Sequence, residues 1–498
     1  MGEGTPSSVD GGPAARGRAA EIHWVGLGLS ARWYGTLDMR VLNQHVPLST
    51  LAALVFEFVA AASSVYIAGF LRFGAVWPED ETAPTLPEAL LSGVATVIGL
   101  AAMGLYQSHY RRLSREAVVA RVALALSLAA LAEAAIFFLL PVFAQGRGIW
   151  VLSVATTFVL VIVGRAALSR VLSDDAFRRR ILIYGAGNMA ASLLALRRRT
   201  DQRGFKIIAF IPASGDRYVI DDPRVLADGA ELFELVGRED VDEIVVAMDD
   251  KRRGFPMAEL LRCKFAGVDV VEILGFLERE SGKVDVERLN PSWLVFSEGF
   301  TRRSSRRIAS RGLDLVGALT LLAVAWPFMI IVALAIWLED GLPVLYRQTR
   351  VGLLGRPFKL LKFRSMAKGA EVAGAQWAQQ GDSRVTKVGR VIRKIRFDEL
   401  PQIFNIIRGE MSLVGPRPER PEFVDSLAKK IPYYHERHCV KPGLTGWAQL
   451  QYPYGASEKD ALEKLRYDLF YVKNQSFVLD LIILLQTAEV VIWQKGSR

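Results

Sequence analysis

The stretch from Asp314 to Leu338 reads DLVGALTLLAVAWPFMIIVALAIWL and decides how this chain meets a membrane. It is long enough for a membrane helix, but Pro327 lies near its centre, where a proline removes a backbone donor and bends a helix. Each half has about a dozen residues and spans about 20 Å, less than the ~30 Å hydrocarbon core of a bilayer. We therefore predict a re-entrant helix over 314–338, which bends at Trp326-Pro327 and returns to the same face.

Four further apolar segments in the first third of the chain predict a bundle of four transmembrane helices. They run over Leu48–Leu71, Ala89–Tyr106, Ala117–Phe143 and Ile149–Leu168. The first loop is acidic, whereas arginines follow the second and fourth segments, so the positive-inside rule puts both termini in the cytoplasm. A spanning helix over 314–338 would move the basic C-terminal part outside, against this orientation.

Several charged residues lie within these apolar segments, including Glu57, Arg121 and Glu133. We expect Arg121 to reach a membrane surface and the two acids to face neighbouring helices. A proton or ion pathway is the alternative interpretation.

The composition agrees with a membrane protein that handles anions. Of the 498 residues 51% are apolar, and the formal net charge is +10. A basic membrane protein faces anionic headgroups or phosphorylated substrates. No helix-turn-helix, zinc-finger or RNA-binding signature appears, so a nucleic-acid partner is not expected. The two cysteines, Cys263 and Cys439, lack metal-ligand spacing and are expected to be thiols.

The pattern divides the chain into four parts. Residues 1–46 form an N-terminal tail that we expect to be partly disordered, and 47–171 form the four-helix transmembrane domain. Residues 178–297 alternate buried strands with helices, which predicts a parallel α/β sheet and a Rossmann-like cytoplasmic domain. Residues 304–498 form the C-terminal part, which contains the re-entrant helix and which a family resemblance, carried by motifs quoted below, implies to be a monotopic, α-rich catalytic domain.

The α/β part opens with a strand that enters Gly185-x-Gly187-x-x-Ala190, a turn that could hold a pyrophosphate at a helix N-terminus. The acid expected on the second strand is missing, because Pro212-Ala213-Ser214 follow Ile207–Ile211. A regulatory or assembly domain without a redox cofactor is therefore the favoured interpretation. Nucleotide or nucleotide-sugar sensing through Gly185 and Gly187 is the alternative.

The chemistry is expected at Phe397-Asp398-Glu399-Leu400-Pro401-Gln402. Two adjacent carboxylates stand there among basic residues, ahead of Gly415-Pro416-Arg417-Pro418-Glu419-Arg420. Acids amid so many cations suggest a metal-assisted site for a phosphorylated substrate. The alternative is a helix N-terminal turn, where acids favour the helix dipole. His435 and His438 have metal spacing on a helix, but no third ligand is near, so we expect them to be interfacial or core residues.

From about Ser304 to Lys495 the chain resembles the bacterial sugar transferases, the monotopic polyprenyl-phosphate sugar-1-phosphate transferases. The ordered motifs include Tyr346–Gly352, Lys362–Met366, Arg393–Gln402, Gly409–Pro418 and Lys441–Gln449. The four apolar segments and the α/β part are similar to the long-form subgroup that starts exopolysaccharide, capsule or O-antigen units. One departure is Trp326 before Pro327, where many members have a small residue.

The resemblance implies transfer of a sugar phosphate from a UDP-sugar to undecaprenyl phosphate, with release of UMP and with Mg²⁺ as cofactor. Asp398 would be the nucleophile that forms a covalent phosphosugar intermediate, and Glu399 would help it with metal or proton handling. Asp398 and Glu399 are also the expected metal ligands. The expected substrate- and phosphate-binding residues are Lys362, Arg364, Arg393, Arg417, Arg420 and Asp468. The expected location is the bacterial inner membrane, with the catalytic domain on the cytoplasmic face.

Two other functions compete with this one. A nucleotide-sugar-modifying oxidoreductase would need an acid–base set such as Tyr-x-x-x-Lys after the glycine-rich turn, and none is found between Ile211 and Ser297. A non-catalytic scaffold of polysaccharide assembly would tolerate a degraded acidic pair, but Asp398 and Glu399 are intact. The sugar stays open, with glucose or galactose favoured, and a homodimer is expected.

Overall fold

The computed structural model describes most of the chain from Met39 to Trp493. The described residues are 39–41, 44–46, 48–74, 84–106, 115–140, 145–171, 179–194, 205–213, 216, 219–226, 231–250, 252, 254–288, 304–369, 384–452, 455 and 457–493. They lie within one continuous body, Asp38–Arg498. The disorder predicted for the tail falls mainly on residues outside this set, while β1 (Met39–Val41) and β2 (Gln44–Val46) form an antiparallel pair at its end.

The first third forms helices where apolar segments were predicted: α1 (Leu48–Phe73), α2 (Leu86–Ala102), α3 (Arg115–Leu139) and α4 (Arg147–Val171). Among the described residues, four helices are long and apolar enough to cross a membrane, and three of them, α1, α3 and α4, coincide with predicted spans. Helix α2 has only 17 residues, about 26 Å, and falls short of a bilayer core. The fourth long apolar helix is instead the one that contains Pro327.

Charged side chains inside this bundle contact polar groups of other parts of the bundle. Glu57 is fully buried on α1 and forms an ion pair of 2.5 Å with Arg165 of α4, and Tyr106 donates to the same carboxylate at 2.6 Å. The acid therefore faces other helices, as predicted. The expectation for Arg121 is wrong, because its side chain is buried and donates to the Met103 carbonyl where α2 ends. A carbonyl at a helix end lacks an intrahelical partner, which explains the contact.

The α/β region, residues 179–288, contains the predicted parallel sheet. Its strands are β3 (Arg179–Tyr184), β4 (Phe205–Ile211), β5 (Glu243–Val246) and β6 (Asp269–Glu272), in the order β4-β3-β5-β6. The helices are α5 (Asn188–Leu194), α6 (Leu232–Arg238), α7 (Met257–Phe265) and α8 (Ile273–Ser281). Two apolar clusters pack on the sheet, one around Leu182 and Ile244 and the other around Ile183 and Phe276.

Helix α9 runs over Ser304–Asp340 and continues through Pro327. The sequence predicts a bend there, and the structure has one uninterrupted helical segment. Many of its apolar side chains are exposed, among them Val316, Val324, Ile331 and Leu338, each more than 60% exposed. Such a surface is what a helix in lipid presents, since lipid offers apolar contacts that water does not.

Both ends of α9 bind the C-terminal region, residues 341–493. Near the start, Arg311 donates to the carbonyls of Ile406 and Ile407, at 2.7 and 2.6 Å. Near the end, Glu339 accepts from the backbone amides of Lys387 and Val388, at 2.8 and 3.0 Å. The two ends of this apolar helix therefore lie against the same folded part of the protein.

The C-terminal region is built from short elements around this helix. They are β7 (Leu345–Val351), β8 (Pro357–Phe363), α10 (Lys387–Lys394), α11 (Gln402–Arg408), β9 (Ser412–Val414), α12 (Pro421–Ala428), β10 (Gly443–Thr445), α13 (Trp447–Gln451), α14 (Glu458–Asn474) and α15 (Phe477–Trp493). Strands β7 and β8 pair antiparallel, and β9 and β10 pair parallel. The core centres on Ile403, Ile406 and Met411, against which Ala318 of α9 and Ile483 of α15 pack.

Candidate active site

The acidic pair lies on a 3₁₀ turn, Phe397–Glu399, that rests on helix α9. Phe397 meets Phe328 of α9 edge to face, with ring centroids 6.0 Å apart, and packs beside Val332 and Ile336. Arg396, just before the turn, has a φ of 60°, which is uncommon for a side chain other than glycine. Strained backbone of this kind collects at functional sites, where the surrounding structure holds it in place. The turn that carries the acidic pair therefore packs on the membrane helix at Phe328, one residue after Pro327.

Glu399 is held by two cations. Lys362 Nζ and Arg417 Nη2 both reach its Oε1 atom, at 3.2 and 2.9 Å. Burial alone would raise the pKa of Glu399, but Arg417 and Lys362 hold it well below the usual range. Burial lowers the pKa of Lys362, and the charge of Glu399 opposes that shift. Glu399 is therefore an ionised carboxylate that joins β8 to the loop that carries Arg417.

Asp398 differs from its neighbour because its carboxylate has no hydrogen bond or ion pair with any residue of the described set. Burial raises its pKa, the nearby cations Lys362, Arg393 and Arg417 lower it, and Glu399 raises it further. A half-buried carboxylate that faces cations without being bound by them can react with, or bind, an incoming group. It is also the less acidic of the two carboxyl groups.

Asn405 fixes the distance between the acidic pair and Lys362. It is fully buried on α11 and accepts from the Leu361 amide at 3.0 Å while it donates to the Lys359 carbonyl at 2.8 Å. It also donates to Glu410 at 2.7 Å. The helix that follows the acidic turn is thereby bonded to the strand that carries Lys362.

Arg393 reaches the site from the last turn of α10. This helix starts at Thr386, whose hydroxyl accepts from the Gly389 amide at 2.9 Å, and Glu339 of α9 accepts from its first two amides. A cap of this kind is worth about 1 kcal/mol and sets the direction in which a helix leaves. Arg393 therefore owes its position to the far end of the membrane helix.

Arg417 stands between Pro416 and Pro418 and is held from behind. Its backbone carbonyl accepts from Arg437 at 3.1 Å, and Arg437 forms a buried ion pair of 2.7 Å with Asp468 of α14. Burial raises the pKa of Asp468 to about 6, and Arg437 keeps it from rising further, so the carboxylate is ionised at neutral pH. The sequence predicts that Asp468 binds substrate. In the structure its side chain is enclosed and pairs with Arg437 instead of lining the site.

Arg364 is the second residue that the structure uses differently from the prediction. Its guanidinium is buried and donates to the carbonyls of Asp340, Gly341 and Pro343, at 2.9, 2.7 and 2.5 Å. It also pairs with the Asp340 carboxylate at 3.1 Å. These groups end α9, so Arg364 closes the membrane helix and uses both of its Nη atoms there. Arg420 immediately precedes α12 and lies near Arg350, to which its charge is coupled.

Three basic residues near the site were not predicted. Arg350 of β7 is largely buried and pairs with Glu419, Arg437 supports Arg417, and Lys464 of α14 is close to both Glu419 and Arg417. Arg350 lies inside the motif Tyr346–Gly352, which is one of those that carry the family resemblance, so its role near the site could have been predicted from the sequence. Arg437 and Lys464 have no such signal, because only the fold brings α14 behind the Arg417 loop. Of the two histidines that have metal-ligand spacing, His438 is buried and His435 is exposed.

A divalent cation fits the acidic pair only together with a substrate. The described residues contain no group of three or more acidic, histidine or cysteine side chains that could hold a metal. Asp398 is unbonded among the described residues, and Lys362 and Arg417 both contact Glu399 through Oε1. Mg²⁺ binds through one or two carboxylates plus substrate phosphates and water. The donor set present therefore suits Mg²⁺ brought in with a diphosphate.

The glycine-rich turn of the α/β region is covered by a carboxylate. Asp249 accepts from the amides of Asn188 and Met189, at 2.9 and 2.8 Å, where a pyrophosphate would otherwise bind. A side chain at Gly187 would clash with this carboxylate, and one at Gly185 would meet the Ala247 carbonyl at 2.3 Å. Both glycines are thus explained by close packing inside the protein.

Comparison with known proteins finds a matching family and several relatives of this chain. Residues 305–494 match the family model of the bacterial sugar transferases. The chain is 40% identical over 250 residues to the UDP-N-acetylgalactosamine-undecaprenyl-phosphate N-acetylgalactosaminephosphotransferase of Aeromonas hydrophila, covering 50% of this chain and 58% of that one. It is 30% identical to the UDP-galactose-lipid carrier transferase of Erwinia amylovora, over 70% and 76% of the two chains. The UDP-glucose:undecaprenyl-phosphate glucose-1-phosphate transferase of Xanthomonas campestris pv. campestris is 28% identical, over 94% and 99%.

Proposed function

Because the chain belongs to the bacterial sugar transferase family, we propose that it transfers a sugar 1-phosphate from a UDP-sugar to undecaprenyl phosphate. By their names, relatives of this chain act on UDP-sugars and on undecaprenyl phosphate. The observation that supports the proposal most directly is the unbonded carboxylate of Asp398. It faces three cations beside a second carboxylate that two of those cations hold in place.

In the proposed first step, a carboxylate oxygen of Asp398 attacks the phosphorus that bears the sugar. The bond from that phosphorus to the bridging oxygen breaks, UMP leaves, and the sugar phosphate stays on Asp398 as an acyl phosphate. In the second step, an oxygen of the lipid phosphate attacks the same phosphorus, which frees the carboxylate and gives the lipid-linked diphosphate sugar. A covalent intermediate lets one site serve a soluble donor and a lipid acceptor in turn.

The charges around the pair suit this chemistry. A carboxylate approaches a negatively charged diphosphate only where cations offset the repulsion, and Lys362, Arg393 and Arg417 all face Asp398. Arg417 presents a planar fork of donors, and two prolines limit the backbone freedom it would lose on binding phosphate. Mg²⁺, held by Asp398 and Glu399 with the diphosphate, would offset the charge that develops on UMP. Chelation should therefore stop UMP release, and added Mg²⁺ should restore it.

The proposal includes a re-entrant path for α9 in the cytoplasmic membrane, although the helix continues through Pro327. Both of its ends contact the C-terminal region, and its exposed side chains are apolar. A spanning helix would place those ends on opposite sides of the bilayer, and the C-terminal region would have to bridge them. Phe397, beside the acidic pair, also packs on Val332 and Ile336, towards the end of the helix that contacts the C-terminal region, so the pair would lie close to the headgroups, where a lipid phosphate is found. A homodimer also remains a proposal, which the mass of the detergent-solubilised protein would test.

The sugar is the open part of the proposal, since relatives are named for N-acetylgalactosamine, galactose and glucose. UMP release should be measured with purified protein, Mg²⁺ and undecaprenyl phosphate, over a panel of UDP-sugars. Release from one sugar names the donor. Radiolabelled sugar should remain on the denatured wild-type protein when the lipid is omitted.

Asp398→Asn is the decisive variant, because it keeps the shape of the side chain and removes the nucleophile. It should abolish both UMP release and protein labelling, whereas Asp425→Asn, an acid on the nearby helix α12, should leave both unchanged. Full activity in folded Asp398→Asn would refute the covalent mechanism. No release by wild-type protein from any UDP-sugar would refute the proposed donor class.

A further inference from the structure

The α/β region is joined to the C-terminal region by polar and apolar contacts that converge on helix α14. Glu278 of α8 is buried and accepts from Lys473 and Asn474 of α14, at 2.7 and 3.1 Å. The next two residues of α8, Arg279 and Glu280, bond instead to the sheet, through Glu243 and Arg179. Helix α8 therefore connects the parallel sheet to α14 through consecutive residues.

The segment that follows α8 extends this junction. Val284 and Val286 are each 2% exposed and lie in the apolar cluster of Val351, Leu465 and Leu469, all from the C-terminal region. Gly282 accepts at its carbonyl from the indole of Trp447 at 2.8 Å, and that indole stacks on Phe470 of α14. Buried apolar groups and satisfied polar groups together describe a fixed junction rather than an incidental touch.

Helix α14 presents this junction and the active site on opposite faces. At about 100° per residue, Arg466 and Lys473 fall on one face, while Lys464 and Asp468 fall on another about 160° away from Arg466. Arg466 pairs with Asp285 and Glu287 of the α/β region. On the other face Asp468 holds Arg437, which holds the Arg417 carbonyl. A displacement of α14 would therefore change the place of Arg417.

From these contacts we infer that the α/β region is a positioning element for the phosphate-binding arginine, through the Glu278–Lys473 pair and helix α14. This inference rests on the proposed function for the role of Arg417, and it gives the α/β region a task that needs no nucleotide. Glu278 is a positioning residue: it touches neither the acidic pair nor any group that faces Asp398. Its effect on the reaction would pass through Lys473, Asp468 and Arg437.

Charge reversal at the junction tests the inference. Glu278→Lys places two like charges together, and we expect it to lower kcat/KM for the UDP-sugar about a hundredfold relative to wild type. Glu278→Gln should lower kcat/KM about tenfold relative to wild type. Small misplacements of binding groups have effects of this size. The exchanged pair, Glu278→Lys with Lys473→Glu, should return within about threefold of wild type. Asp222→Lys is the matched control, because Asp222 pairs with Arg224 within the α/β region. It should leave the rate unchanged.

Two readouts separate positioning from general loss of stability. The effects of Glu278→Gln and Asp468→Asn on kcat/KM, expressed as free energies, should be non-additive, because both residues act on the same chain of contacts. Mutations at independent sites would have additive free-energy effects. Hydrogen exchange in the peptide 415–420 should increase in Glu278→Lys and return in the exchanged pair, at matched thermal unfolding midpoints. Additive effects, or unchanged exchange in folded Glu278→Lys, would overturn the inference. Changed exchange supports it even if wild-type protein releases no UMP, a result that would overturn the proposed function alone.

Discussion

Replacing Arg364 by methionine separates two roles that the sequence does not distinguish. As a phosphate-binding residue, Arg364 would matter for the UDP-sugar. In the structure its guanidinium is 8% exposed and bonded to three carbonyls where α9 ends. Methionine has similar length and no donor, so Arg364→Met removes these bonds without a large cavity. We expect the change to act on stability and to leave donor binding alone.

The magnitude follows from the bonds lost. Hydrogen bonds to a charged group contribute about 1.5–3 kcal/mol each, so three of them contribute roughly 4.5–9 kcal/mol before any compensation. The Asp340 side chain is 30% exposed, so water can replace part of what is lost at the helix end. We therefore expect a net loss of about 3 kcal/mol. For a folded part of about 200 residues this lowers the unfolding midpoint by roughly 6–12 °C.

The assay compares two variants of neighbouring residues. Unfolding midpoints in detergent, at one scan rate, and KM for the UDP-sugar are measured for Arg364→Met and for Lys362→Met. Arg364→Met should lower the midpoint and keep KM within about twofold of wild type, whereas Lys362→Met should impair catalysis with a smaller loss of stability. A wild-type midpoint together with a tenfold higher KM in Arg364→Met would refute the structural role.

Three further predictions concern residues away from the reacting groups. Asn405→Ala removes three hydrogen bonds at a fully buried position and should cost roughly 2–4 kcal/mol, seen as a lower unfolding midpoint; an unchanged midpoint would contradict its linking role. The pKa of Asp468, raised by burial from 3.8 to about 6, means that the native state binds this proton more tightly than the unfolded chain. Stability should therefore fall as the pH rises from about 4 to about 6, and a constant midpoint difference between wild type and Asp468→Asn over that range would argue against it. Gly185→Ala should lower the midpoint, because φ is 132° and the new methyl would lie 2.3 Å from the Ala247 carbonyl; a fully stable variant would show that the turn can relax.

The elements that the sequence predicts well are those that depend on local pattern. The four parallel strands, helix α7 and the apolar helices follow from runs of residues that alternate or repeat, and they lie close to the predicted bounds. The acidic pair and Lys362, Arg393 and Arg417 were identified from motifs, and the structure brings all five together. Helix α2 ends earlier than its apolar run, because residues 103–106 turn instead of continuing the helix.

The errors depend on long-range contacts. Lys362 and Arg364 are two residues apart, so an extended strand would turn both side chains to one face. Strand β8 ends at Phe363, however, and Arg364 turns to the end of α9, a contact that no local pattern reveals. The contact between Asp468 and Arg437 is also long-range. These residues are 31 positions apart in sequence, and they meet only because α14 packs behind the Arg417 loop.

The two halves of the site are supported by different parts of the protein. Asp398 and Glu399 rest on the membrane helix, through Phe397 and its apolar neighbours. Arg417 rests on α14, which the α/β region holds in turn. The contact between Glu399 and Arg417, at 2.9 Å, joins the two supports directly. A change in either support therefore alters the distance between Asp398 and Arg417, which are the nucleophile and a phosphate-binding group of the proposed reaction.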